Sequence, residues 1–248
     1  MVDLEHPILL NEFSKIGINP EAVAALPDDV RRALRNELPT PIIIVSYNAN
    51  GDIIKLPVRL QTSTSVNGAP MLTVYGLRKE LNNIYSLSPA EFESIKKGDI
   101  VVLRPGDKTI YLQADPLTNN IISLPEHKLK LADRLKSVEK ILDFELGSEQ
   151  KQRIMEGKPV TLDIGGEKST LGVDLKEPNA FKILKGDMHE WQRQKEIEYD
   201  IAHPEFLGLV QTEQNRWEYM MIQKKGLSLG GDAIKANSEQ VKHGGMKI

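Results

Sequence analysis

The sequence predicts an α+β fold made of about 60-residue repeats, each of helices plus a three-stranded antiparallel meander, closed by a C-terminal helix and β-hairpin. Three observations carry that expectation. Three segments open alike, "LPDDVRRAL" from Leu26, "LSPAEFESI" from Leu87 and "LGSEQKQRI" from Leu146, spaced by 61 and then 59 residues. Each is followed by three short β-rich runs with turn-forming residues between them. In the run "IIKLPVRLQ", Ile54, Leu56, Val58 and Leu60 alternate with Lys55, Arg59 and Gln61, the period of a strand with one solvated face.

The helix-like stretches "LLNEFSKIG" and "NPEAVAAL" come first, ahead of Leu26. Each repeat helix then places an apolar residue eight positions after its leading leucine, at Leu34, Ile95 and Ile154. Proline or serine opens it, and acids occupy its first turn, where the helix dipole favours them: Asp28 and Asp29, Glu91, Glu149. Gly98 and Gly157 close the second and third helices, and the prolines of "NELPTP" close the first. The first meander reads "PIIIVSY", "IIKLPVRLQ" and "MLTVYG", with Asn50-Gly51-Asp52 and Val66-Asn67-Gly68 as turns. The second reads "IVVLR", "KTIYLQA" and "NIISL"; the third reads "VTLDI", "KSTLGVDL" and "AFKIL". Helical sequence also leads into the second and third units, as "GLRKELNNIYS" and "HKLKLADRLKSVEKILDF".

Beyond Leu184 the pattern changes. A helix over "DMHEWQRQKE" with Asp187 as cap leads to a strand-like alternation of Ile197, Tyr199 and Ile201 against Glu196, Glu198 and Asp200. The runs "EFLGLVQ" and "RWEYMMIQ" around "TEQN" make the final hairpin. Past Lys225 the chain is rich in glycine and polar residues without periodicity, which reads as a flexible tail. The expected organisation is an N-terminal α+β domain over 1–125 with two repeats, a C-terminal α+β domain over 126–224 with the third repeat and the hairpin, and a tail over 225–248.

Composition narrows the chemistry. The absence of cysteine among 248 residues excludes disulfide frameworks, thiolate zinc sites, iron–sulfur clusters and cysteine nucleophiles. With 32 Lys and Arg against 35 Asp and Glu, the net charge of −3 gives no general attraction to phosphate backbones. The acids of "MVDLEHPILLNEF" do not suit a secretory signal, and no window approaches the roughly 20 apolar residues of a membrane span. A soluble cytoplasmic protein without a membrane partner is the expectation.

Several constellations invite a functional reading. "DIGGEKST" at 163–170 looks like a phosphate loop, but Glu167 separates Gly166 from Lys168 and a strand follows where a Walker loop needs a helix, so it reads as a hairpin turn. His189 and Glu190, with His203 and Asp200, suggest half a zinc motif, yet Arg193 stands where the second histidine belongs. Glu196, Glu198 and Asp200, two apart on a strand, would share a face as paired carboxylates, and read as a solvated edge. No catalytic residue, cofactor or metal is therefore expected. On the helix from His127, Lys128, Lys130, Arg134, Lys136 and Lys140 face water opposite a stripe of Leu131, Leu135, Val138 and Leu142. With Trp191 and Arg193, these bases are the candidate contact surface for a partner or nucleic acid, set against the plainer reading of a solubilising helix face.

The stretch "LGSEQKQRIMEGKPVTLDIGGEKSTLGVDLKEPN" and the following "GDMHEWQRQKEIEYDIAHPEFLGLVQTEQNRWEY" resemble a bacterial family catalogued as domain of unknown function 4099, as does "FSKIGINPEAVAALPDDVRRALRNELPTPIIIV" near the N-terminus. The phrase around "EQKQRIMEGKPV" is also similar to domain of unknown function 3945. The resemblance implies a cytosolic protein of mobile or conjugative elements, with no catalytic motif to transfer. The combined expectation is a non-enzymatic protein-interaction or assembly module that binds another protein or itself, the alternative being an accessory nucleic-acid binder using the basic helix 127–140. A metal-dependent hydrolase is the remote third reading.

Overall fold

The computed structural model describes residues 1–49, 52–177, 179–200, 205–212 and 216–223. The Asn50-Gly51 pair of the first turn, His203, most of "TEQN" and the expected tail lie outside them. The fold is mixed α+β with three sheets. No helix among the described residues is long and apolar enough to cross a membrane.

Two short helices open the chain, α1 (Pro7–Lys15), which buries Leu9 and Phe13 one turn apart, and α2 (Pro20–Ala24), whose first turn is held by Asn19 accepting from the Ala22 N–H at 2.8 Å. Helix α3 (Asp28–Arg35) then leads into β1 (Ile43–Ala49), β2 (Asp52–Thr64) and β3 (Pro70–Gly76), paired in antiparallel order. Helix α4 (Pro89–Lys96), started by a Ser88 and Glu91 capping box, leads into β4 (Val101–Leu103), β5 (Ile110–Asp115) and β6 (Asn120–Pro125). Next come α5 (Glu126–Leu129) and α6 (Leu131–Leu142). Helix α7 (Ser148–Met155) leads into β7 (Val160–Ile164), β8 (Glu167–Val173) and β9 (Phe181–Lys185). Helix α8 (Met188–Tyr199) and the hairpin of β10 (Glu205–Gln211) and β11 (Trp217–Gln223) finish the described chain.

The three helix-and-meander units differ in strand length but coincide at several positions. Helices α3, α4 and α7 each have eight residues. Leu34, Ile95 and Ile154 are fully buried at corresponding places, as are Leu60, Leu112 and Leu171 on the middle strands. Three residues beyond each of the first set the chain turns left-handed, at Glu37 (φ 59°), Gly98 (83°) and Gly157 (76°), and the N–H of each returns to the carbonyl of Leu34, Ile95 or Ile154. The first helix thus stops through a glutamate in a conformation that favours glycine, not through its prolines.

The structure corrects the sequence reading in four further places. "GLRKELNNIYS" is not helical, because the Asn83 side chain bonds both the N–H and the carbonyl of Leu87 at 2.8 Å and captures the backbone in a loop. The helix expected over 127–144 is broken at Lys130, which sits left-handed (φ 49°) between α5 and α6. The alternation expected as a strand from Glu196 belongs to α8 up to Tyr199, and Ile201 is outside the described residues. Asp187 starts that helix by accepting from the His189 and Glu190 N–H groups, and an alternation this short fits a helix equally well. Lastly, the hairpin grouped with residues 126–224 pairs instead with the first unit: β10 runs parallel to β1 and completes a five-stranded sheet in the order β11-β10-β1-β2-β3. Leu209 enters the core over α1 and α2, and the Trp217 Nε1–H donates to the Ala22 carbonyl at 2.9 Å.

Buried polar bonds tie the units together. Arg59 on β2 donates to Asp115 on β5 at 2.9 Å and to the carbonyls of Thr40 and Lys176 at 3.0 and 3.2 Å. Gln113 accepts from the Leu175 N–H at 2.7 Å and donates to the Gly98 carbonyl at 3.3 Å. One apolar core draws on all three units, from Ala33 and Leu38 through Ile122 and Leu124 to Leu162 and Leu171.

Candidate functional site

Two cavities draw polar side chains together. The larger is an open groove of about 780 Å³ between the end of α3, the α5–α6 pair and β9. Helix α6 contributes Arg134, Ser137, Val138 and Ile141, spaced to share one face. Phe181 and Ile183, two apart on β9, supply an apolar wall, and Arg35 comes from the last turn of α3. Ile141 and Ile183 are 75% and 40% exposed, so the groove presents apolar surface to water.

The local backbone shapes the charge pattern. The left-handed Lys130 ends α5 and turns the chain into α6, and the Arg134 Nε–H donates back to the freed Leu129 carbonyl. Arg134 is half-buried, and burial lowers its pKa. Lys128 pairs with Glu37 at 2.7 Å, and Glu37 also accepts from the Thr64 hydroxyl at 3.1 Å. That leaves Arg35, Lys130 and Arg134 against Asp133 as the charged side chains lining the groove beyond that pair.

The smaller cavity, about 50 Å³, lies among Asp99, Gln113, Asp174, Lys176, Lys182, Trp191, Lys195 and Glu198. Its cations are matched: Lys176 with Asp174 at 2.8 Å and Glu198 at 3.5 Å, Lys182 with Glu198 at 3.9 Å, Lys195 with Asp99 at 2.6 Å. Burial opposes the charges on Lys176 and Asp174, but their mutual attraction outweighs it, raising the lysine pKa and lowering that of the aspartate. Burial also pushes the Tyr199 phenol up; its hydroxyl donates to the Ala114 carbonyl while Lys176 lies over its ring at 5.2 Å. Such matched, interlocked charges fasten α8 to the second and third units.

The structure divides the expected contact residues. Lys128, Lys130 and Arg134 line the groove, while Lys136 and Lys140 are exposed on α6 away from its lining. Of the five bases expected to face water, Lys128 and Arg134 are half-buried, the first drawn to Glu37 and the second to the Leu129 carbonyl. Trp191 is buried at the smaller cavity with Lys182 at 5.8 Å from its ring, and Arg193 is held bidentate by Glu190 at 2.8 and 2.7 Å. Neither lines the groove. Arg35, Ile141, Phe181 and Ile183 were not singled out by the sequence; their convergence depends on chain segments far apart.

The other constellations also resolve. Gly165 and Gly166 (φ 63° and 86°) make the two-residue turn between β7 and β8, with the Gly166 N–H bonded to Asp163 at 3.0 Å. Glu196 and Glu198 are two apart on a helix, so they do not share a face, and Glu198 is engaged by Lys176 and Lys182. Among the described residues no three histidine, aspartate or glutamate side chains are placed to hold a metal ion. No family model, curated protein or solved structure matches the chain. The resemblance to the two domains of unknown function therefore rests on the quoted stretches alone.

Proposed function

We propose that the protein is a non-enzymatic interaction module, in which three copies of a helix-and-meander repeat form a rigid scaffold and the groove beside α6 docks a segment of a partner protein. The observation that carries the reading is the groove itself, where exposed Ile141 and Ile183 lie beside Arg35, Lys130 and Arg134. Apolar surface with a cationic border suits protein docking. The repeat reading is supported by the coincidence of buried positions and left-handed helix ends at Leu34 and Glu37, Ile95 and Gly98, Ile154 and Gly157. The mobile-element setting rests on the resemblance alone, and the cytoplasmic one on the sequence composition as well.

A photo-reactive residue in place of Ser137, in the groove, tests the proposal in living cells. Crosslinks to a protein that vanish when Ile141→Glu is added support it. Crosslinks to nucleic acid alone, undisturbed by Ile141→Glu, would favour the second reading, which draws on the exposed Lys130, Lys136 and Lys140 of the same region.

A further inference from the structure

We infer that the groove receives a peptide segment that sets a carboxylate beside an apolar side chain, the carboxylate clasped by Arg134 and the apolar group resting on Ile141, Phe181 and Ile183. The inference rests on the interaction reading and specifies its ligand. Arg134 is the key group. Its Nε–H is committed to the Leu129 carbonyl, and among the described residues no carboxylate pairs with it and its two terminal nitrogens have no partner. Elsewhere among the described residues the buried cations have counter-charges: Arg59 has Asp115, and Lys176 has Asp174. In the groove itself Lys128 has Glu37.

Burial disfavours the charge on Arg134, so a carboxylate arriving there relieves a cost already present in the free protein. The planar guanidinium presents paired N–H groups at the spacing of two carboxylate oxygens, which a lysine does not. Arg35 and Lys130, both exposed on the lining, add attraction for an acidic segment during encounter. The apolar wall decides between an acidic peptide and a phosphate backbone. A phosphate chain would satisfy the cations and leave Ile141 and Ile183 wet, whereas an acidic segment with a neighbouring Leu or Phe covers both.

The test is to select peptides of about 12 residues from a random display library against the full chain, then measure the best synthetic peptide by fluorescence polarisation at about 0.15 M salt. Selected sequences are expected to carry Asp or Glu next to Leu, Ile or Phe, and Ile141→Glu is expected to abolish binding. Arg134→Gln should weaken it about 10- to 100-fold, the range for losing hydrogen bonds to a charged group, with Arg134→Lys in between. Lys136→Gln, on the same helix but off the groove, should stay within about twofold, separating a seated contact from general charge. A thermal melt of each variant shows that it is folded. Peptides that need Ile141 but lack acids and ignore Arg134→Gln would overturn the carboxylate inference while leaving the docking reading in place. If no selected peptide is sensitive to Ile141→Glu, or if a labelled oligonucleotide displaces the peptide with steep salt dependence, the docking reading falls and this inference falls with it.

Discussion

Replacing Asp115 by Asn removes the counter-charge of a buried arginine while preserving shape. In the native protein the Asp115 side chain is wholly buried and that of Arg59 is 7% exposed. Asp115 accepts from Arg59 at 2.9 Å and from the Thr118 hydroxyl at 2.7 Å. Through the same guanidinium, the pair holds the carbonyls of Thr40, ahead of β1, and Lys176, after β8. Breaking a buried ion pair on one side costs about 3–5 kcal/mol. The asparagine oxygen can still accept one bond, which places Asp115→Asn near the lower end, about 3 kcal/mol of the roughly 5–15 kcal/mol that holds a typical domain together. With a urea slope of about 3 kcal/mol/M, the midpoint should fall by about 1 M. Equilibrium urea unfolding followed by tryptophan fluorescence reads this directly. A shift under about 0.3 M at unchanged slope would refute the role given to Arg59 as the clamp joining the three units.

Four further outcomes follow from named contacts. Gly157→Ala should lower stability by about 2–4 kcal/mol in thermal melts, since its φ is 76° and a Cβ would meet Ile100 Cγ2 at 2.6 Å; at the corresponding first-unit position, Glu37→Gly should change it by less than about 1 kcal/mol, as relieved strain offsets the lost Lys128 pair. Hydrogen bonds from Arg193 and then Gln194 hold the Glu190 carboxyl down at about 2, so its support for α8 is fully present above the ordinary carboxylate pKa of about 4.3 and is lost as pH falls from there toward 2. Protection of the α8 amides, corrected for intrinsic exchange at each pH, should therefore fall across that window in the wild type and fall less in Glu190→Gln, where the lowered Asp187 cap still titrates; an equal fall in both would contradict the assignment. Gln113→Ala should cost about 1–3 kcal/mol by stranding the buried Leu175 N–H, again read by urea unfolding.

Much of the scaffold was legible in the sequence because its signals are local. The leading leucines, the apolar positions at Leu34, Ile95 and Ile154, and turns such as Gly165-Gly166 each act within a few residues. Where reading failed, a side chain or a distant strand had decided the outcome. Asn83 captured the backbone of Leu87 against helical propensity, and β10 found the free edge of β1 more than 150 residues back in the chain. Lys130 and Glu37 adopt left-handed backbones with no glycine to signal them. The basic helix was visible as a charged stretch, but the groove was not. Its walls come from Arg35, Arg134 and Phe181, and only the packing of the first unit, the α5–α6 pair and the third unit brings them together.

Chemical-shift mapping of the isotope-labelled chain with a selected acidic, apolar peptide addresses the docking claim most directly. The expected result is a set of perturbed amides and methyls confined to Arg35, Lys130, Arg134, Ile141, Phe181 and Ile183, lost in Ile141→Glu and needing more peptide to appear in Arg134→Gln. Perturbations centred on Trp191 and α8, or shifts spread evenly over exposed lysines and reduced by salt alone, would contradict it.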